Sequence, residues 1–237
     1  MNDGITRTSP SQIPMKRYLI LLLTLFTINA CAEPDEQQQK LAVEMQQAVL
    51  RTQDVQKAKE IVSRGFDING PIGCGTFSSL DGAIHKEDVE MLKFLLAHGA
   101  KPRGRELADA AFASGYQQAE EMVAALLKAG VDVNTRNEHS APLIRATYRR
   151  NAGLVSLLLA QPGIKLEQMN SDGDTALMCA VRGGSSELVD LLLRAGADPK
   201  TANAEGETAA TVAQQEIQKQ QAIMAKLQSG SKGVASP

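Results

Sequence analysis

Residues 172–200 read DGDTALMCAVRGGSSELVDLLLRAGADPK. Leu188, Leu191 and Leu192 stand at i, i+3 and i+4, which gives one apolar stripe on a helix. Gly196 follows that stripe and predicts a helix end in the left-handed conformation, which costs other residues more. Ala180 is small, as a first helix needs where a neighbour approaches to about 8–10 Å. The stretch therefore encodes two short helices joined by a tight turn.

The same grammar returns elsewhere. IVSRGFDIN, FLLAHGAKP, ALLKAGVDV, LLAQPGIKL and LLLRAGADP each place a glycine after an apolar run, at Gly65, Gly99, Gly130, Gly163 and Gly196. The intervals are 34, 31, 33 and 33 residues, a period that marks a solenoid. In SAPLIRATY, Pro142 sits where the first turn of a helix tolerates it. The composition agrees: tryptophan is absent and aromatics are 3% of the chain, so aliphatic residues must build the core.

Residues 172–200 resemble an ankyrin repeat through Thr175, Leu177, Ala180, Gly184, Glu187, Val189, Leu191, Leu192, Gly196, Ala197 and Asp198. Ala176 and Met178 depart from the family's Pro and His. The resemblance implies an all-α solenoid of five to six helix-turn-helix units with short hairpin loops. They are expected at about 41–70, 71–103, 104–135, 136–169, 170–202 and 203–228. In the third, ASGYQQAEE reads as a lengthened link between helices; the sixth opens with EGETAATVA and ends in a Gln-rich helix whose polar face suits a terminal cap.

The amino-terminal region carries a different signal. Lys16 and Arg17 precede a short apolar run, Leu19 to Ile28, about half the roughly 20 residues that a bilayer span needs. A charged start, a short apolar middle and the small Ala30 read as a secretory signal peptide over 1–30, with Met15 as a candidate start. Ile28-Asn29-Ala30-Cys31 is similar to the lipobox of bacterial lipoproteins, and this implies cleavage before Cys31 and lipidation of its thiol. Ala32 after the cysteine resembles the outer-membrane class. Residues 31–40 are then a lipidated tether, 41–228 the repeat domain and 229–237 a disordered tail. The expected location is the periplasmic side of the outer membrane.

Little in the chain suggests catalysis. His85, His98 and His139 have no Cys or carboxylate at metal-ligand spacing, so no metal and no cofactor are expected. GPIGCG at 70–75 is glycine-rich but falls in an inter-repeat loop. Cys74 and Cys179 lie about three repeats apart, too far for a disulfide, and both read as unpaired. A net charge of −2 leaves no electrostatic footprint for nucleic acid. The chain is expected not to be an enzyme, and to take no small-molecule substrate.

Solenoids present an extended concave face. The ankyrin resemblance places contact positions at Phe77, His85 and Lys86 in the second unit, Phe112 in the third, Glu138, Tyr148 and Arg149 in the fourth, and Asp172, Asp174 and Arg182 in the fifth, with Arg145 in the same neighbourhood. Aromatics and arginine dominate interface energetics. Downstream of Cys31 the aromatics are Phe66, Phe77, Phe94, Phe112, Tyr116 and Tyr148, and half of them fall on this presumed face. The alternative is that Phe112 and Tyr116 pack inside the third unit and the arginines only solvate a surface. The description is also similar to ankyrin-like immunity lipoproteins against type VI secretion phospholipase effectors. That resemblance implies binding and neutralising a toxic effector encoded by a neighbouring gene. A periplasmic scaffold or oxidative-stress protection protein with a resident partner is the alternative.

Overall fold

The computed structural model describes residues 36–72 and 77–231. The lipidation expected at Cys31, the signal segment and Cys74 lie outside the described residues. The chain divides into two compact units, 1–40 and 41–237. The described residues hold eleven α-helices: α1 (Glu36–Gln47), α2 (Val55–Ser63), α3 (Ser79–His85), α4 (Val89–Ala97), α5 (Arg105–Ala110), α6 (Tyr116–Lys128), α7 (Pro142–Tyr148), α8 (Ala152–Leu159), α9 (Ala176–Arg182), α10 (Ser186–Arg194) and α11 (Ala209–Ser231). A π-helical turn, Ala48–Thr52, follows α1. No helix among the described residues is long and apolar enough to cross a membrane.

The unit from Leu41 onward is a two-layered stack. The π-turn, α3, α5, α7, α9 and α11 pack side by side in one layer, and α2, α4, α6, α8 and α10 in the other. The sequence dictates this through a small recurrent code. L80DGA83, L107ADA110, L143IRA146 and L177MCA180 each put a leucine and an alanine on the buried face of a first helix. The alanines (Ala83, Ala110, Ala146 and Ala180) are essentially inaccessible, so adjacent first helices approach closely. Gly82 goes further: an added Cβ would lie 2.6 Å from Val49 Cγ1 on the π-turn. Second helices bury Met91 and Leu95, Met122 and Leu126, Leu154 and Leu158, and Leu188 and Leu192 at i, i+4 spacing.

Helix ends follow the expected chemistry. Gly65, Gly99, Gly130, Gly163 and Gly196 all have φ between 74° and 96°, the region glycine enters without a Cβ penalty. Asp54, Asp88, Asn151 and Ser185 cap the second helices by accepting the amides of Lys57, Met91, Leu154 and Leu188. The third pair lacks such a residue: Gly115 stands at the cap of α6 and contributes no side chain. Glu87, from the preceding pair, instead holds the backbone that leads into the helix. Its carboxylate takes the amides of Ser114 at 2.6 Å and Gly115 at 3.0 Å.

Glu87 is one rung of a wider device. Gln53, Glu87 and Arg150 have positive φ (52°, 54° and 56°) in the links between paired helices, where the fifth pair has Gly184. Each side chain reaches the next link along: Gln53 donates to the Lys86 carbonyl, Glu87 accepts from Ser114 and Gly115, and Arg150 donates to the Gly183 carbonyl. A left-handed conformation is costly for such residues, and the link-to-link bonds offset that cost.

On the opposite edge, asparagines bridge the hairpins. Asn69 accepts the Lys101 amide and donates to the Gly99 carbonyl; Asn134 repeats the pattern with Lys165 at 2.7 Å and Gly163 at 2.9 Å. Replacing Asn134 by alanine removes both bonds and leaves the exposed Lys165 amide and Gly163 carbonyl to water. The expected loss is about 1 kcal/mol of unfolding free energy with an unchanged denaturant slope, measured by urea titration.

Two expectations about organisation are corrected. The third link, residues 111–115, is longer than links 149–151 and 183–185, as expected, but of ASGYQQAEE only residues 113–115 belong to it; the chain is helical from Tyr116 and α6 reaches 13 residues. The sixth unit is not a helix pair. Thr208 and Thr211 cap α11, which runs as one 23-residue helix to Ser231. With no glycine after Gly206 until 230, nothing interrupts it for a second helix.

Candidate functional site

One register position recurs on the first helices, two residues after each buried alanine. It holds His85, Phe112, Tyr148 and Arg182. The stacking of α3, α5, α7 and α9 therefore lines these four side chains into a ladder. Its central rungs touch: the Phe112 and Tyr148 ring centroids lie 6.1 Å apart at a 36° tilt. Phe112 is 38% exposed and Tyr148 71%.

Two arginines of α7 and its cap close over Phe112. The Arg145 guanidinium carbon lies 4.3 Å from the ring centroid and that of Arg149 5.3 Å, both within cation–π range. A groove of about 570 Å3 opens there, lined among others by Phe77, His85, Phe112, Arg145 and Arg149. It is adjoined by a smaller cleft of about 280 Å3, which shares Phe112 and Arg145 and continues over Tyr148 to Asp172. Seven of the positions that the sequence points to thus fall on one surface.

The others are placed differently. Lys86 is exposed at the end of α3 and its carbonyl receives Gln53. Glu138 is exposed in a hairpin loop. Asp174 is buried, and both its oxygens accept from Arg182, which also reaches Glu207 at 3.0 Å. That pair ties α9 to the loop before α11, so both side chains are engaged in holding the stack. The alternative packing of Phe112 and Tyr116 is met halfway: Phe112 is partly covered by arginines, and Tyr116 is 52% exposed, donating its hydroxyl to the Arg149 carbonyl.

A buried charge network under the groove has no local signature in the sequence. Asp81 is 9% exposed and accepts from Ser78 twice, from Arg103 at 2.5 Å and from Arg105 at 2.8 Å. Burial pushes its carboxyl up, but the Ser78 bonds and the two arginines outweigh this and hold it below the usual range. Burial likewise pushes Glu87 up, and the Ser114 and Gly115 amides bring it down overall. Arg145 moves the other way: burial lowers it, and Asp109, 3.7 Å off, compensates only in part. Cys179 is buried and free, its thiol pushed up to about 12, which makes it unreactive.

A second cleft, about 730 Å3, lies between Gly183 and the Gln-rich flank of α11 around Ile217 and Met224. It has fewer rigid anchors than the Phe112 groove and less to fix a partner's orientation. Among the described residues no group of His, Cys, Asp and Glu is arranged to hold a metal.

With this geometry in hand, comparison with known proteins is informative. The family described as Ankyrin repeats (3 copies) matches residues 107–203 and 143–230. An ankyrin repeat domain from Acinetobacter baumannii AYE is similar in structure, with a TM-score of 0.64 and 25% identity, over 72% of this chain and 90% of that one. A second solved ankyrin repeat protein gives 0.64 and 27%, over 73% and 91%. Among curated proteins, ANK repeat-containing protein nipk-1 of Caenorhabditis elegans is 32% identical over 101 residues, 36% of this chain and 16% of its own. Ankyrin repeat and KH domain-containing protein mask-1 of the same organism is 28% identical over 142 residues, 60% of this chain and 5% of its own. This chain thus spans only a small part of the curated relatives it matches.

Proposed function

The chain belongs to the ankyrin-repeat family, whose fold is typically a non-catalytic scaffold for protein–protein interaction, and from that premise we propose that its groove docks a toxic effector and neutralises it. The observation that carries the docking reading is the ladder of His85, Phe112 and Tyr148 with Arg145 and Arg149 stacked at its centre. Aromatic and arginine anchors on a rigid surface, with little ordering left to do, are what tight interfaces use.

The finer reading draws on the amino-terminal sequence. A lipid on Cys31 would hold the inhibitor at the periplasmic side of the outer membrane, beside the lipids that a phospholipase effector attacks. Lipid attachment of this kind is stable when more than one chain is carried. The groove would clamp the effector and cover its substrate entrance or hold its lid. Such a complex should bury on the order of 1,600 Å2.

The test is co-expression with the product of the neighbouring gene. A stable complex, and cells that die when only the effector is made, support the inhibitor. If deletion leaves cells indifferent to that product yet sensitive to peroxide, the protein is a resident scaffold instead. Within the complex, changing Tyr148 and Arg149 together to alanine should weaken binding about tenfold or more, with the circular dichroism of the free chain preserved. Unaltered affinity by calorimetry would move the docking face elsewhere.

A further inference from the structure

We propose that Arg145 and Arg149 form a carboxylate clamp, so that the partner segment seated in the groove is an acidic one that places a glutamate or aspartate against the two guanidiniums beside Phe112. The inference rests on the groove being the docking face and adds the chemistry of what enters it.

A guanidinium carries five N–H donors in a fixed fork. Both guanidiniums lie over the Phe112 ring, a contact that uses none of these donors in hydrogen bonds. Little protein chemistry consumes it. Arg145 Nε and Arg149 Nε are both buried without a protein acceptor. The nearest carboxylate oxygen to Arg145 is Asp109 Oδ1 at 3.7 Å, beyond hydrogen-bond length, and that oxygen already accepts from Asn137 at 2.7 Å. Arg149 makes one long contact, 3.5 Å to the Ser114 carbonyl. Native structures leave few buried donors unpaired, and those left over call for an explanation.

Two of the three acids in the groove wall are engaged by the protein, and the third, Asp109, stays partly exposed beside Arg145. Asp81 is saturated by Ser78, Arg103 and Arg105, and Glu87 by two backbone amides. Asp81, Glu87 and Asp109 balance Arg105, Arg145 and Arg149 in the lining, so the wall carries no net charge and the pull on an anion is local to the guanidiniums of Arg145 and Arg149. That favours a singly charged carboxylate over a doubly charged phosphate, whose repulsion from Asp109 and Glu87 would be about twice as large. The exposed faces of Phe112 and Tyr148 offer apolar contact to the residues flanking the acid. Burial lowers Arg145's proton affinity, and an arriving anion opposes that shift by coulombic attraction, as Asp109 already does in part.

The experiment uses the full chain with 15N-labelled arginine, observing the Nε–H resonances by NMR. The probes are a synthetic peptide alternating glutamate and leucine, its glutamine counterpart, a phosphoserine peptide of equal length, and vesicles of anionic phospholipid. The glutamate peptide should shift the Arg145 and Arg149 resonances, slow their exchange, and bind about tenfold or more tightly than the glutamine peptide. Arg145→Lys with Arg149→Lys keeps the charge but loses the fork, and should cost about tenfold. Equal binding of the glutamate and glutamine peptides, unmoved Nε–H signals, or preference for phosphoserine or vesicles overturns the clamp; the wild-type spectra decide this even if the variant folds poorly. An effector complex indifferent to the double lysine variant sinks the clamp and spares the inhibitor. Glutamate-specific binding without any effector complex sustains the clamp and sinks the inhibitor.

Discussion

Asp81→Asn should unfold at a markedly lower urea concentration than the parent chain, losing about 2–3 kcal/mol at pH 7. Asp81 joins the second pair to the third. Its carboxylate takes the Ser78 amide and hydroxyl within the second and the Arg103 and Arg105 side chains from the start of the third. Asparagine keeps one acceptor oxygen and replaces the other by an amide donor, so one of the two arginines exchanges its Asp81 acceptor for a facing donor. The arginines are about two-fifths exposed, and solvent moderates the loss below that of a fully buried pair. The pH dependence gives an independent check. Asp81's folded value lies below the usual 3.9 or so. Its contribution is therefore complete above that unfolded value and disappears as pH falls through the folded one. The gap between parent and variant should stay constant from pH 6 to 8 and narrow under acid. Urea titrations at pH 7 and pH 3 that showed the same gap would refute the ionic account.

Phe112→Ala is the corresponding test of binding. The ring is the surface on which Arg145 and Arg149 rest and the neighbour of Tyr148, so its loss disperses the centre of the groove. Central aromatic anchors contribute about 2 kcal/mol or more, which is roughly thirtyfold in Kd. Because the ring is 38% exposed, the fold should lose only about 1 kcal/mol, a few degrees in melting temperature. Glu138→Ala, in an exposed hairpin, serves as the comparison and should change affinity less than about threefold. Calorimetry with the neighbouring gene's product reads both. Parent-like binding by the Phe112 variant would place the docking face outside this groove.

Much of this architecture was legible because repeats announce themselves. The apolar stripe at Leu188 and Leu192, the buried Ala180 and the left-handed Gly196 all follow from local spacing, and the 33-residue period carries the register to weaker units. That register also gathered Phe112, Arg145, Tyr148 and Arg149 on one face. What spacing cannot show is which side chain of one pair meets which of the next. Asp174 and Arg182 sit at positions expected to face a partner, yet they bind each other because the buried carboxylate needs a cation. The Asp81 network spans 22 and 24 residues and has no local pattern. The lengthened third link was legible, but not its reliance on Glu87, which lies in the preceding pair.

That borrowed carboxylate has a bearing on how the chain comes apart. The third pair takes this acceptor from the second, so it is not a self-sufficient brick, and a gene divided between codons 103 and 104 would part Glu87 from the link it holds. At the far end Gly184 has no arm to extend toward its successor. Fraying from that end should therefore start in the long terminal helix, whose far half is exposed, and travel inward toward the Phe112 groove.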